Sequence, residues 1–337
     1  MPDFSPTSTP LGKHGSPAES NNNSTQNLPP SLLDEIREVG AWLDRNPRVL
    51  ALLLTITATL IYFFYLYSPF VMGLHSTISW AISAWNPEGN QEHGRIVPLI
   101  ALGLIWYHKD ELYKAAGKGS ISGLFWVLVG CLTYVVGVRC LQPRFCLAAL
   151  PFLLYGGVSF VSGAKAARVI LFPCVFLFFM IPVAALEQAT FRLQFIITGI
   201  MEMVGKLVGI GIEAHGTTLH ASDGAFDFEI AEGCSGIRSL AAMTMLTAAY
   251  VHVTQDRLWK QIVIFCGSVL FAIIGNVGRI FSIILVAKYY DPQFAGGWFH
   301  DHSGFVFFPV AVLAMLGFAK LVNLGSQRKS NTTEVAA

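Results

Sequence analysis

Three polar positions stand out from an apolar background, and each is of a type that does chemistry. Cys234 sits in Ala231-Glu232-Gly233-Cys234-Ser235-Gly236-Ile237-Arg238-Ser239. Arg279 sits in Gly275-Asn276-Val277-Gly278-Arg279-Ile280, and His300 in Trp298-Phe299-His300-Asp301-His302-Ser303-Gly304-Phe305. A thiol attacks as its thiolate, and the unpaired N–H groups of a helix N-terminus lower its pKa. The pattern predicts such a terminus just after Cys234, with Ser235 as the cap. The polar, glycine-flanked setting of Cys234 is unlike that of Cys131, Cys140, Cys146, Cys174 and Cys266, which lie mostly in apolar runs. A compact residue buried in a tight turn accounts for Cys234 equally well.

Arg279 interrupts an apolar stretch over 262–287. A charge near the centre of a membrane span costs at least about 2.5–3.5 kcal/mol and usually faces a cavity or the protein interior. Asn276 lies one helical turn earlier on the same face and adds a second costly group. The pair favours function over an arginine that merely snorkels to the headgroups. His300 is of the type that gives and takes protons near neutral pH. Asp301 and His302 adjoin it, so either imidazole is eligible, and an exposed polar loop is an equal reading of this segment.

Together, a thiolate, an imidazole and a fixed cation make an acyl-transfer set. His300 would activate Cys234 and later protonate the leaving amine. Arg279 would stabilise the oxyanion, hold the substrate carbonyl or keep the thiolate charged.

The elements that must position these groups are membrane helices. Of 337 residues, 53% are hydrophobic and 13% charged, against about 25% charged in a soluble domain. The net charge of +1, with no basic run, argues against a nucleic-acid partner. Apolar stretches near 48–70, 121–139, 145–163, 168–187, 237–254, 261–287 and 303–323 predict spans. A shorter one at 95–108 is weaker. The stretch 190–214 carries Arg192, Glu202, Lys206 and Glu213 and reads as interfacial or re-entrant.

With the N-terminus inside, Lys109, Lys114, Lys118, Lys165, Arg168, Arg257, Lys260, Arg328 and Lys329 fall on the cytoplasmic side. Arg139 and Arg144 are the main exceptions. The expected fold is therefore an all-α integral membrane protein of about eight transmembrane helices with both ends cytoplasmic. An interfacial helix and a small extracytoplasmic hairpin complete it. The hairpin is read over 217–230, where Phe226, Phe228 and Ile230 alternate with Asp227 and Glu229 after a Ser222-Asp223-Gly224 turn.

Residues 1–30 are rich in Ser, Pro, Asn and Thr and are expected to be disordered, with no signal peptide. An amphipathic surface helix is expected over 31–47, the membrane domain over 48–323 and a cytoplasmic tail over 324–337. No C-x-x-C pair is present, and a disulfide between Cys140 and Cys146 is not expected. The same layout brings Cys234, Arg279 and His300 to the outer membrane face.

At these motifs the chain resembles the exosortase/archaeosortase family of membrane transpeptidases. Cys234-Ser235-Gly236-Ile237-Arg238, Asn276-Val277-Gly278-Arg279-Ile280 and His300-Asp301-His302-Ser303-Gly304 match in order and in position at span boundaries. The resemblance covers roughly 90–323. It implies Cys234 as nucleophile, Arg279 as the basic partner and His300 as acid/base, with no metal and no cofactor. It implies substrates that are secreted proteins ending in a short motif such as Pro-Glu-Pro, a transmembrane helix and a basic cluster. Those proteins would be cut near the motif at the outer face of the plasma membrane and passed to an acceptor.

Two other readings stand beside it. A transporter or flippase would line its pathway with Arg279 and Asn276. An intramembrane metalloprotease would use His300 and His302 with His215 or His220, but lacks H-E-x-x-H.

Overall fold

The computed structural model describes residues 32–45, 47–67, 69–70, 76–86, 91–182, 184–224, 226–229 and 236–334. The expected N-terminal tail lies outside these residues, as do Cys234 and Ser235. The chain divides into two units, Met1–Thr59 and Leu60–Ala337. In the first, α1 (Leu32–Arg45) occupies the stretch expected to hold an amphipathic helix; α2 (Pro47–Ile61), which carries the division between the units, begins on a proline. Proline suits a first helical turn because its missing N–H has no partner to lose there.

The second unit opens with a π-turn at Tyr62–Leu66 and α3 (Thr77–Ala84), which the Ser76 side chain caps by accepting from Ser79 N–H. A 3-10 turn at Glu92–Arg95 leads into α4 (Val97–Tyr107) and α5 (Lys109–Ala115). Then come α6 (Ser122–Arg139) and α7 (Pro143–Ser162). Gly123, Gly130 and Gly137 recur every seven residues and lie buried on α6. A Cβ on Gly123 would stand 2.6 Å from the Gly156 carbonyl oxygen of α7, so the two backbones touch along this seam. The opposite side of α6 exposes Leu124, Phe125, Leu128 and Leu132. Small residues inside and large apolar residues outside are the arrangement of helices packed in lipid.

The apolar run expected over 168–187 does not form one helix. It divides into α8 (Ala164–Val169), α9 (Leu171–Phe176) and a 3-10 turn at Leu177–Met180. Pro173, in the first turn of α9, has no N–H to continue the preceding helix. The stretch 190–214 is a helix for most of its length, α10 (Ala184–Val208). Gly209 then turns left-handed at φ 76°, and Ile210 N–H bonds to the Gly205 carbonyl at 2.8 Å. That pattern stops a helix and releases the chain as a strand.

Where a hairpin was expected there is a three-stranded antiparallel sheet, β1 (Ile212–His215), β2 (Thr218–Ala221) and β3 (Asp227–Glu229). Glu213 pairs with His220, and His220 with Asp227. These polar residues share one face, while Ile212, Leu219 and Phe226 pack on Ile280, Ile283 and Ile284.

The last part holds α11 (Ile237–Thr254), α12 (Leu258–Tyr289), a short α13 (Pro292–Phe294), a π-turn at Ala295–Phe299 and α14 (His300–Glu334). Met243, Val251, Ile264, Ala272, Ala311, Met315 and Ala319 form the core shared by α11, α12 and α14. Helix continues through most of the stretch expected to be a tail. Among the described residues, four helices are long and apolar enough to cross a membrane: Ser122–Arg139, Pro143–Ser162, Leu258–Tyr289 and Pro292–Leu324. Leu54–Leu66, Val97–Tyr107 and Leu171–Met180 are apolar but shorter.

Candidate active site

The α12 helix presents Asn276 and Arg279 on one face, as their spacing requires. Arg279 is half-buried and tied to the head of α14. Its Nε–H donates to Ser303 Oγ at 2.9 Å, and its Nη2–H donates to the His300 carbonyl oxygen at 3.0 Å. Ser303 Oγ–H donates to that same carbonyl at 3.0 Å. Both acceptors are neutral, and among the described residues no carboxylate pairs with Arg279. A guanidinium held this way keeps its full charge available to an anion.

His300 is the first residue of α14, not a member of a loop before it. Its Nδ1 lies 3.0 Å from Asp301 Oδ1, an arrangement that fixes the ring's orientation. His300, Ser303, Phe307 and Ala311 recur at helical spacing and make the stripe of α14 that meets α12. His302 is two residues on, about 200° around the helix from His300. It is bound elsewhere: its Nδ1 is 2.8 Å from the Trp298 carbonyl oxygen, and its ring stacks on Trp298 with centroids 4.5 Å apart.

The described part of the cysteine motif begins at Gly236. The helix cap falls on this residue rather than on Ser235. Gly236 has φ +80°, a conformation that an L side chain adopts only with strain. It also presses on Asn276: a Cβ on Gly236 would stand 2.6 Å from Asn276 Nδ2. The N-terminus of α11, two residues from Cys234, therefore meets α12 one turn from Arg279. Ser239 Oγ–H donates to the Gly236 carbonyl at 3.0 Å and closes this turn.

On its other side the motif is tied down by a residue far upstream. Arg238 Nε–H donates to Glu92 Oε2 at 3.0 Å. The turn that carries Glu92 is itself anchored. The His93 ring is packed beside the Phe179 backbone, and Trp85 Nε1–H donates to the Met180 carbonyl at 2.7 Å. Gly94 lies against the Trp85 ring with no room for a Cβ. Burial pushes the His93 imidazole below its ordinary value, and the Glu92 charge only partly offsets that.

Below Arg279, a cavity of about 40 Å³ opens between α11, α12 and α14. Arg279, Asn276 and Ser239 form its polar end, and Ala272, Gly275, Phe307, Phe308 and Ala311 its apolar walls.

The structure thus joins Arg279, Asn276, His300, Asp301 and Ser303 into one assembly and sets Arg238 and Gly236 beside it. Glu92 and the buried Ser303 had no role in the sequence reading. Glu92 belongs to no motif and gives no local signal, whereas Ser303 was visible at helical spacing from His300. His215 and His220 sit on the sheet, beside Glu213 at 3.8 Å and Asp227 at 3.2 Å. Among the described residues, no group of three or more His, Cys, Asp or Glu side chains is arranged to hold a metal ion.

No curated protein and no solved structure matches the chain. A family model, that of the transmembrane exosortases, matches residues 85–317, which include Glu92 and all three motifs.

Proposed function

The chain belongs to the transmembrane exosortase family, and from that premise we propose that it is a membrane-embedded cysteine transpeptidase. In this reading it cuts the C-terminal sorting signals of secreted proteins. The observation that supports it most is the hold of Arg279 on the His300 carbonyl and Ser303, beside the start of α11.

Cys234 Sγ, deprotonated by His300, attacks the scissile carbonyl carbon. The carbonyl π pair moves to oxygen, and the oxyanion faces Arg279. Collapse breaks the C–N bond, the amine leaves with the proton from His300, and a thioester remains. Water or an acceptor amine then attacks the thioester and gives its proton to His300. The sulfur leaves and Cys234 is restored. The charge on Arg279 favours both thiolate and oxyanion, and Asp301 orients the ring that carries the proton. His300 suits this role better than His302, whose ring is turned to Trp298.

We read the membrane domain as eight spans over 48–323 with both termini cytoplasmic, because the basic loop residues then share one side. The site then opens at the outer face of the plasma membrane, among lipid and secreted substrates. Such substrates would carry a short motif, an apolar helix and a basic tail.

The experiment is co-expression with a tagged secreted reporter ending in Pro-Glu-Pro, an apolar helix and a basic cluster. Cys234→Ala and His300→Ala are expected to leave the reporter uncleaved, while His302→Ala still processes it. Continued cleavage by Cys234→Ala at the wild-type rate would remove cysteine chemistry from consideration.

A further inference from the structure

The cavity under Arg279 has a polar rim and an apolar floor, and its place fixes what enters it. A substrate carbonyl oxygen held at Arg279 leaves the substrate Cα one bond from the reacting carbon. The side chain on that Cα must then lie within a few ångströms of the guanidinium. The open space there is walled by Gly275, Phe307, Phe308 and Ala311. Its size sets a limit. A buried apolar cavity of about 150 Å³ holds a benzene-sized group, so about 40 Å³ suits only a small aliphatic one.

The walls cannot easily retreat. Ala272 and Ala311 belong to the buried core of α11, α12 and α14. At Gly275, an added Cβ would come within 2.9 Å of the Ala311 Cβ. Packed helices of this kind resist even single-methylene changes in volume.

We propose that this cavity is the subsite for the side chain immediately before the cleaved bond, and that it favours a small apolar side chain over a large one. The proposal rests on the transpeptidase reading of the same site. The cavity thereby selects substrates by size at one position, next to Arg279.

The test uses the full chain in membranes with the same reporter, its cut position mapped by mass spectrometry of the released fragment. The residue before the cut is then varied through Ala, Val, Leu and Phe. Ala and Val are expected to be processed, with at least a tenfold loss at Leu and a larger one at Phe. Ala311→Gly is expected to recover Leu processing. Gly304→Val, whose Cβ would meet Arg279 Cζ at an ordinary 3.9 Å, is expected to depress Val processing more than Ala processing. Folding of each variant is read from Cys234 labelling by a thiol reagent. A flat size series in enzyme that still requires Cys234 overturns the subsite and leaves the transpeptidase reading intact. Processing that does not need Cys234 overturns the reading on which the subsite rests.

Discussion

Arg279 donates from Nη2 to the backbone carbonyl of His300 at 3.0 Å, so the guanidinium grips the chain of the imidazole-bearing residue and leaves its ring alone. Ser303 completes the grip from the next turn of α14. The cation's position therefore depends in part on the Ser303 hydroxyl.

Ser303→Ala removes the acceptor of Arg279 Nε–H. An unsatisfied buried donor costs about 1–3 kcal/mol, and more when charged. Reporter processing is expected to fall about tenfold or more, while Ser303→Thr restores most of it. Quantifying the cleaved fraction against time checks both.

The Glu92–Arg238 pair is testable by exchange. Its members are 34% and 44% exposed, so the pair contributes at most about 1 kcal/mol to stability. Reversing either charge alone is expected to slow processing several-fold with little change in melting temperature. The double reversal, Glu92→Arg with Arg238→Glu, is expected to recover much of the rate. Failure of the double variant to exceed both singles would show that the two charges do not act together.

Gly236→Ala meets two penalties. The left-handed backbone costs an L residue about 1–2 kcal/mol, and the new methyl collides with Asn276 Nδ2. Thermal unfolding in detergent is expected to move down by several degrees, and labelling of Cys234 to change with it. Asn276→Ala removes the amide but keeps a Cβ at 3.1 Å, and is expected to relieve part of the loss in the double variant.

His93 gives a pH dependence whose sign follows from its burial. The folded state holds its pKa below the ordinary 6.5, so the unfolded chain binds more protons as pH falls through that value. Its contribution to stability is level above about pH 6.5 and declines below it. His93→Asn keeps a polar side chain at this position and cannot titrate. Its melting temperature is expected to fall less between pH 7 and pH 5 than that of the parent chain.

What the sequence made legible was what local spacing controls. Asn276 and Arg279 share a face because they are three residues apart, and His300 and Ser303 share one for the same reason. The strand alternation around Asp227 was readable, whereas β1 was hidden because Ile212–His215 is only four residues long and directly follows a long helical pattern, with Gly209 and Gly211 between them. The apolar run near 168–187 reads as one span by length and hydropathy, and Pro173 was the one local sign that it would divide into short pieces. Glu92 was beyond reach altogether, since its partner Arg238 is brought to it by folding and not by sequence.

The stripe of α14 that meets α12 is set by rotation about the helix axis. One residue inserted between His300 and Ser303, inside α14, would swing every following side chain by about 100° relative to His300. It would displace the helix along its axis by only about 1.5 Å. Span length, hydropathy and membrane insertion would all survive such a change, yet Arg279 would face a different side of the helix. The first turn of α14 thus acts as an angular index for the end of the molecule that holds Arg279, and its length is less tolerant of change than its residue types.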